Sequence, residues 1–336
     1  MHSHSWIASV VALNAITSAH AISASLPTHF ELHTGDMMPS IALGLYMSQP
    51  SEAAEAVKIA LETGYRHFDT AWVYGNEEAV GRAIRDTNVP RSEIWITTKL
   101  WNSFHDPANV EIGLNESLVN LGVDYVDLFL MHWPVAEKQG ARGEPVTDRE
   151  LSENPYPTWR AMERLVESGK VRNIGVCNFS IKRLEKLLFQ PLKIRPVVNQ
   201  VEIHFWHPQP EMIAWGKNNG IVIQAWGPFA GSTAKSWVER TLSVPEIKAV
   251  AEELGITPAQ VTLSWHIQRG TVVLPKSVNS SRIVENYQVV RLPDLLFETI
   301  EQAAQSHPPI RTFDPSRYWG LDVFGEGGYT KRRDEL

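Results

Sequence analysis

From residue 40 onward, short apolar runs alternate with stretches of 3.6-residue periodicity, a strand-then-helix rhythm repeated along the chain. Eight runs read as strands, at residues 40–46, 67–71, 94–100, 125–133, 171–179, 197–204, 221–229 and 271–276. The segment SEAAEAVKIALETG, residues 51–64, is predicted to be an amphipathic helix with Ser51 as its N-terminal cap and Gly64 as its stop. PTWRAMERLVESG, residues 157–169, reads the same way and ends at Gly169. Ahead of the first strand, FELHTGDMMP predicts a hairpin turning at Thr34-Gly35-Asp36.

Eight strands alternating with helices over about 240 residues have the rhythm of a parallel barrel, which a doubly wound sheet shares. The open sheet needs a glycine-rich phosphate turn after its first strand, and IALGLYMS offers Gly44 alone. The expected architecture is therefore α/β, a single-domain (β/α)8 TIM barrel over residues 29–330. Residues 137–157 are expected to form a long loop after the fourth strand. A tail rich in Pro, Gly and aromatics, residues 307–330, follows a further helix at LPDLLFETIEQAAQ and is expected to be a C-terminal active-site loop.

Composition narrows the partner class. The 336 residues are 43% apolar with a formal net charge of −7, and Lys and Arg are scattered, so nothing resembles a nucleic-acid footprint. Cys177 is the single cysteine, which excludes an internal disulfide, a cysteine zinc cluster and a CxxC motif; no metal is expected. A small-molecule partner, no membrane span and a monomer are the expectations. The ends carry addresses. The apolar run at residues 6–19 is too short to span a bilayer and leads into Ala19-His20-Ala21, so residues 1–21 are expected to be a signal peptide, although no Lys or Arg precedes the run. Residues 333–336 spell RDEL, one residue from an endoplasmic-reticulum retrieval signal, which makes the lumen the expected location and the cytoplasm the alternative. Asn115, Asn178 and Asn279 head N-x-S sequons.

Catalytic side chains of a parallel barrel gather at the C-terminal ends of its strands. Asp69 lies near the end of the second predicted strand and Tyr74 just beyond it, Lys99 near the end of the third, and His132 near the end of the fourth. Singly, each has a structural reading: an ion pair, a loop anchor, a satisfied core histidine. Together they read as proton-transfer machinery. Asp69 can keep Lys99 charged, the ammonium is expected to lower the Tyr74 phenol toward the working range, and a neutral His132 can hydrogen-bond a carbonyl oxygen. With no nucleophile and no metal set, the natural partner chemistry is hydride transfer from a cofactor. Farther on, Lys276, Ser277, Asn279 and Arg282 of LPKSVNSSRIVEN make a compact site for a dianion such as a 2′-phosphate, or else a solvated loop charge pair. Trp72, Trp101, Trp133, Tyr318 and Trp319 suggest a broad aromatic pocket, with packing as the other reading.

The segments GYRHFDTAWVYGNEEAVGRAI, ITTKLWN, DLFLMHWP, IGVCNF, VVNQVEIH and LPKSVNSSRIVEN, in this order, resemble the signatures of the aldo-keto reductase superfamily over residues 30–328. That resemblance implies an NADPH-dependent oxidoreductase that reduces an aldehyde or ketone to the alcohol on a barrel scaffold. It makes Asp69, Tyr74, Lys99 and His132 the catalytic tetrad with Tyr74 as general acid. It places Asn178 and Gln200 at the nicotinamide carboxamide, Cys177 among the cofactor contacts and Trp226 on the ring, with Glu285 and Asn286 at the adenine beyond the phosphate site. Tyr46 and Trp101 join His132 on the substrate side. The chain departs from the pattern at Cys177 and Gly227, where many members have Ser, at Trp226, where many have Tyr, and at residues 45–47, where Leu-Tyr-Met replaces a common Thr-Trp-Lys.

Overall fold

The computed structural model describes residues 25–231 and 235–325; the expected signal peptide at residues 1–21 and the RDEL at 333–336 lie outside them. In chain order its strands are β1 (His29–Glu31), β2 (Met37–Pro39), β3 (Leu43–Gly44), β4 (His67–Asp69), β5 (Trp95–Leu100), β6 (Val126–Met131), β7 (Ala136–Gln139), β8 (Pro145–Asp148), β9 (Val171–Cys177), β10 (Val198–Glu202), β11 (Val222–Trp226) and β12 (Thr271–Leu274). Eight of them pair in parallel in the order β3-β4-β5-β6-β9-β10-β11-β12. The ends of that row meet: Ala42 N–H donates to the Val273 carbonyl at 2.9 Å, Val273 N–H to Ser40 at 3.0 Å and Gly44 N–H to Pro275 at 3.0 Å. The sheet is thereby closed into the eight-stranded barrel that the rhythm predicts.

Strands covered on both sides lose the in–out polarity alternation, and every residue of β5 and β6 is buried. Their period-2 geometry survives in the partners. Leu128 and Leu130 of β6 join Val198, Val272, Leu274 and the hairpin residues Leu32 and Met38 inside the barrel. Phe129 and Met131, one residue out of step, pack with Ile174, Val176 and helix residues such as Ala56 and Leu114 outside it. The β1–β2 hairpin thus plugs the barrel at the end where the strands start. The other end is left to side chains at the strand termini.

Two local expectations change. The first helix runs Pro50–Thr63, with Gln49 rather than Ser51 at its N-cap. Pro50 is pre-set for the first helical position, and Glu52 reaches back to accept the Gln49 N–H at 3.3 Å. Gly64 ends the helix at φ 117°, as expected. The segment after the fourth barrel strand is not an unstructured loop: β7 and β8 form an antiparallel hairpin, and Asp148 caps the short helix Arg149–Glu153. The tail folds over this hairpin. Thr147 Oγ1 donates to the Trp319 carbonyl at 2.8 Å, Trp319 Nε1 to Glu137 at 2.9 Å, and Arg183 to the carbonyls of Asp322 and Val323 at 3.1 and 2.7 Å. Trp133, Val135, Trp319, Leu321, Val323 and Phe324 fill the space between them.

Candidate active site

The strand ends β4, β6, β9, β10 and β11 deliver polar residues to one cavity of about 1100 Å³, whose walls rise into the β7–β8 hairpin and the tail. Lys99, the second-to-last residue of β5, is fully buried and needs substitutes for water. It donates to Asp69 Oδ1 at 2.6 Å and to the Thr70 carbonyl at 2.8 Å, and its Nζ lies 3.4 Å from the Tyr74 hydroxyl. Tyr74 is carried by a single turn, Trp72–Tyr74, that Gly75 closes at φ 64°. His132, just past β6, places its ring against those of Tyr74 and Trp101, with centroids at 5.7 and 5.3 Å, and stacks on Trp133 at 6.3 Å. The four residues predicted at the strand ends therefore meet in space.

Their electrostatics is dominated by burial. Burial, reinforced by the Lys99 charge, holds the His132 imidazole well below its usual range, so the ring is neutral at pH 7. Burial pushes the Asp69 carboxyl up, opposed by Lys99 and the Gln200 amide. The Tyr74 phenol is pushed well above its ordinary value, by burial first and the Asp69 charge second. This reverses the direction expected from a neighbouring ammonium: in the free site the cost of a buried phenolate outweighs the attraction of Lys99. The phenol stays protonated across the neutral range.

A second set of side chains lines the same cavity. Gln200 Nε2 donates to Asp69 Oδ2 at 2.7 Å and to Gln224 Oε1 at 2.9 Å, which turns its own carbonyl oxygen toward Cys177 Sγ, 3.8 Å away. Asn178 follows β9 with a left-handed backbone, φ 64°, a conformation asparagine tolerates better than most. Its Nδ2 donates to the His132 carbonyl at 3.0 Å, and its Oδ1 accepts from Trp226 Nε1 at 3.0 Å. Trp226 is half-buried and presents an aromatic wall. Tyr46 packs edge-on against Tyr74 with centroids 5.1 Å apart.

Lys276 lines the far end of the cavity. Ser277, Asn279, Arg282, Glu285 and Asn286 lie beyond it, in the turn and first helix after β12, and do not line the cavity itself. Asn279 caps the helix Ser280–Tyr287, its Oδ1 accepting from Arg282 N–H at 3.1 Å, so that oxygen is already committed; Arg282 is exposed. Trp72 is a correction: its Nε1 donates to Glu116 at 2.8 Å, its ring packs on Phe104, and it belongs to the outer helix layer rather than the pocket. Trp101, Trp133, Tyr318 and Trp319 do line the cavity. Sequence reasoning missed the wall formed by residues 228–231 with Lys235 and Val238, and the rim made by Glu137, Pro145 and Phe313–Asp314. The run Gly-Pro-Phe-Ala-Gly, with φ near +60° at Gly227, Ala230 and Gly231, was the available signal for the first. Among the described residues no cluster of His, Cys, Asp and Glu could hold a metal ion.

Comparison with known proteins agrees with this arrangement. The model of the Aldo/keto reductase family matches residues 40–305. The chain is 44% identical over 292 residues to a glycerol 2-dehydrogenase (NADP(+)) of Hypocrea jecorina, covering 82% of this chain and 92% of that protein. It is 42% identical over 303 residues to the aldehyde reductase YPR1 of Saccharomyces cerevisiae, covering 86% and 94%. An aldose reductase structure from Schistosoma japonicum superposes with a TM-score of 0.80 at 33% identity, over 90% of this chain and 99% of that one. A closed barrel with these residues at the ends of its strands, matched along most of its length by such relatives, belongs to the aldo/keto reductase family.

Proposed function

We propose that this chain reduces an aldehyde or ketone to the alcohol with NADPH, Tyr74 acting as the general acid. The observation that carries the reading is the Lys99 ammonium, buried behind the cavity wall and held between Asp69 at 2.6 Å and the Tyr74 hydroxyl at 3.4 Å, two residues that line the cavity together with the Asn178 and Gln200 amides and the Trp226 ring. The residues fit a dinucleotide. A volume of about 1100 Å³ exceeds the roughly 300–1000 Å³ of common small-molecule sites, leaving room for cofactor and substrate together. Asn178 and Gln200 would hold a carboxamide, Cys177 lies beside them, Trp226 offers a stacking face, and Lys276 with Ser277 and Arg282 would take a 2′-phosphate.

When bound, NADPH supplies the hydride that reduces the carbonyl carbon. The Tyr74 hydroxyl gives its proton to the carbonyl oxygen, and Lys99 stabilises the phenolate left behind until solvent reprotonates it. Neutral His132 donates a hydrogen bond to the same oxygen and fixes its approach. Tyr46 and Trp101 flank it and keep water away. Because burial keeps Tyr74 protonated and His132 neutral, both groups are in the form that reduction requires at pH 7.

The test is consumption of NADPH by purified protein across a panel of aromatic and short aliphatic aldehydes and ketones, with Tyr74→Phe beside it. The variant removes one hydroxyl and should lower kcat by at least about 10³-fold, in the range of lost general acid catalysis, while cofactor binding persists. No turnover on any carbonyl would favour a cofactor-binding regulatory barrel instead. The addresses at residues 1–21 and 333–336 support residence in the lumen of the endoplasmic reticulum, tested by the mature N-terminus and by secretion after deletion of RDEL.

A further inference from the structure

We propose that the substrate mouth of the cavity discriminates by charge, accepting neutral and cationic carbonyl compounds and rejecting anionic ones, through Glu137 and Asp314. The inference rests on the reading of the cavity as a carbonyl-reduction site. Its observation is the distribution of charge around the rim. The substrate side is walled by aromatics, Tyr46, Trp101, Trp133, Phe313 and Tyr318 among them, and the charged side chains there are two carboxylates, Glu137 on β7 and Asp314 in the tail. The lining cations, Lys235 and Lys276, lie outside the hairpin and tail: Lys276 follows β12, next to the residues read as the phosphate site, and Lys235 opens the helix Lys235–Leu242.

Of the basic groups in the surrounding lid, Arg142 and Arg317 are exposed and do not line the cavity, and four more are committed elsewhere. Arg149 donates to the Gly320 carbonyl at 2.6 Å, Arg183 to the carbonyls of Ser152, Asp322 and Val323, and Lys138 pairs with Asp148 at 3.1 Å. Arg311 lies over the Phe324 ring at 3.6 Å, with its Nη1 3.9 Å from Glu202. Both rim carboxylates are fixed by their own framework: Glu137 Oε1 accepts from Trp319 Nε1 at 2.9 Å and Asp314 Oδ1 from Ser316 N–H at 2.9 Å. An entering anion would surrender part of its hydration to a mouth whose lining hairpin and tail residues offer it two like charges and no cation. A cation meets the same carboxylates and the faces of the aromatic walls.

The experiment compares kcat/KM for 4-carboxybenzaldehyde, 4-nitrobenzaldehyde and 4-(trimethylammonio)benzaldehyde in wild type and in the double variant Glu137→Gln/Asp314→Asn. Both replacements keep an acceptor oxygen for Trp319 and Ser316. Intrinsic aldehyde reactivity cancels when each substrate ratio is compared between the two proteins. The anionic-to-neutral ratio should rise about fivefold or more in the variant, and the cationic-to-neutral ratio should fall. Raising salt to about 1 M, where the screening length shrinks to roughly 3 Å, should move the wild type in the same direction. Ratios that stay the same in the variant would overturn the proposal. Tryptophan-fluorescence titration with benzyltrimethylammonium, expected to bind wild type several-fold more tightly than the variant, decides the point without turnover. A failure of all three aldehydes to react would thus count against the proposed function, and equal binding to the two proteins against the charge selection.

Discussion

A lysine buried as deeply as Lys99 stays compatible with the core only through its oxygen partners, and Asp69 supplies the one negative charge among them. Asp69→Asn keeps the shape and removes the charge, leaving an ammonium in a dry site. Breaking a buried pair from one side costs about 3–5 kcal/mol, so chemical denaturation should show a loss of that order alongside a large drop in kcat. An unchanged unfolding midpoint would mean that the pair carries no net stabilisation. The cofactor residues give a milder test, since Lys276 and Arg282 are exposed. Lys276→Ala with Arg282→Ala should weaken NADPH binding by more than about 2 kcal/mol and spare NADH, charge-assisted hydrogen bonds being worth roughly 1.5–3 kcal/mol each. Equal losses for both cofactors would assign the phosphate to other groups. These residue types were legible in the sequence because each stands near the end of an apolar run. The bonds between them were not. Trp226 reaches Asn178 across the intervening strand β10, and Gln200 reaches Asp69 from the far side of the barrel, the second a contact that only closure creates.

At the level of elements, the strand and helix pattern was visible because the barrel imposes it on both faces, whereas the β7–β8 hairpin was not. AEKQ and PVTD carry too little apolar alternation to read as strands, and they are held by the tail, some 170 residues away in sequence, through Trp319 and the Thr147 bond. Gly81 shows a second kind of hidden constraint. It sits inside the helix Glu77–Arg85, where a glycine normally weakens the element relative to alanine. Here a methyl group would stand 1.9 Å from the Leu121 carbonyl oxygen at the end of the helix Val110–Leu121. The missing side chain lets two helices touch backbone to backbone. Gly81→Ala, stabilising by about 1 kcal/mol in an isolated helix, should therefore destabilise this protein by about 3 kcal/mol or more as the helices separate. Thermal unfolding reads the sign directly, and a raised Tm would show that the contact yields without cost.

For the molecule as a whole, the same burial that tunes the site sets a dependence on acid. Five histidines are buried with their imidazoles held down: His67 and His105 to about 3, His207 to about 4, and His132 and His266 well below the usual range, each with burial as the leading cause. In the unfolded chain they return to about 6.5. Their contribution to stability is therefore complete above pH 6.5 and is lost as the pH falls toward their folded values, because the unfolded state takes up protons that the folded state refuses. Each such proton is worth about 1.4 kcal/mol per pH unit, so five give a limiting slope of roughly 7 kcal/mol per unit, comparable with the whole stability of a typical domain. Two carboxyls away from the site and pushed up by burial, Glu77 and Asp127, act in the opposite sense, gaining stability as the pH falls, and are outnumbered. Tm should accordingly be level from pH 8 to about 7 and fall steeply between pH 6.5 and 5. In His105→Gln, which removes one of the five while keeping a polar side chain, that slope should flatten by about one proton. A Tm that holds steady down to pH 5 would show that the buried histidines accept protons without unfolding the barrel.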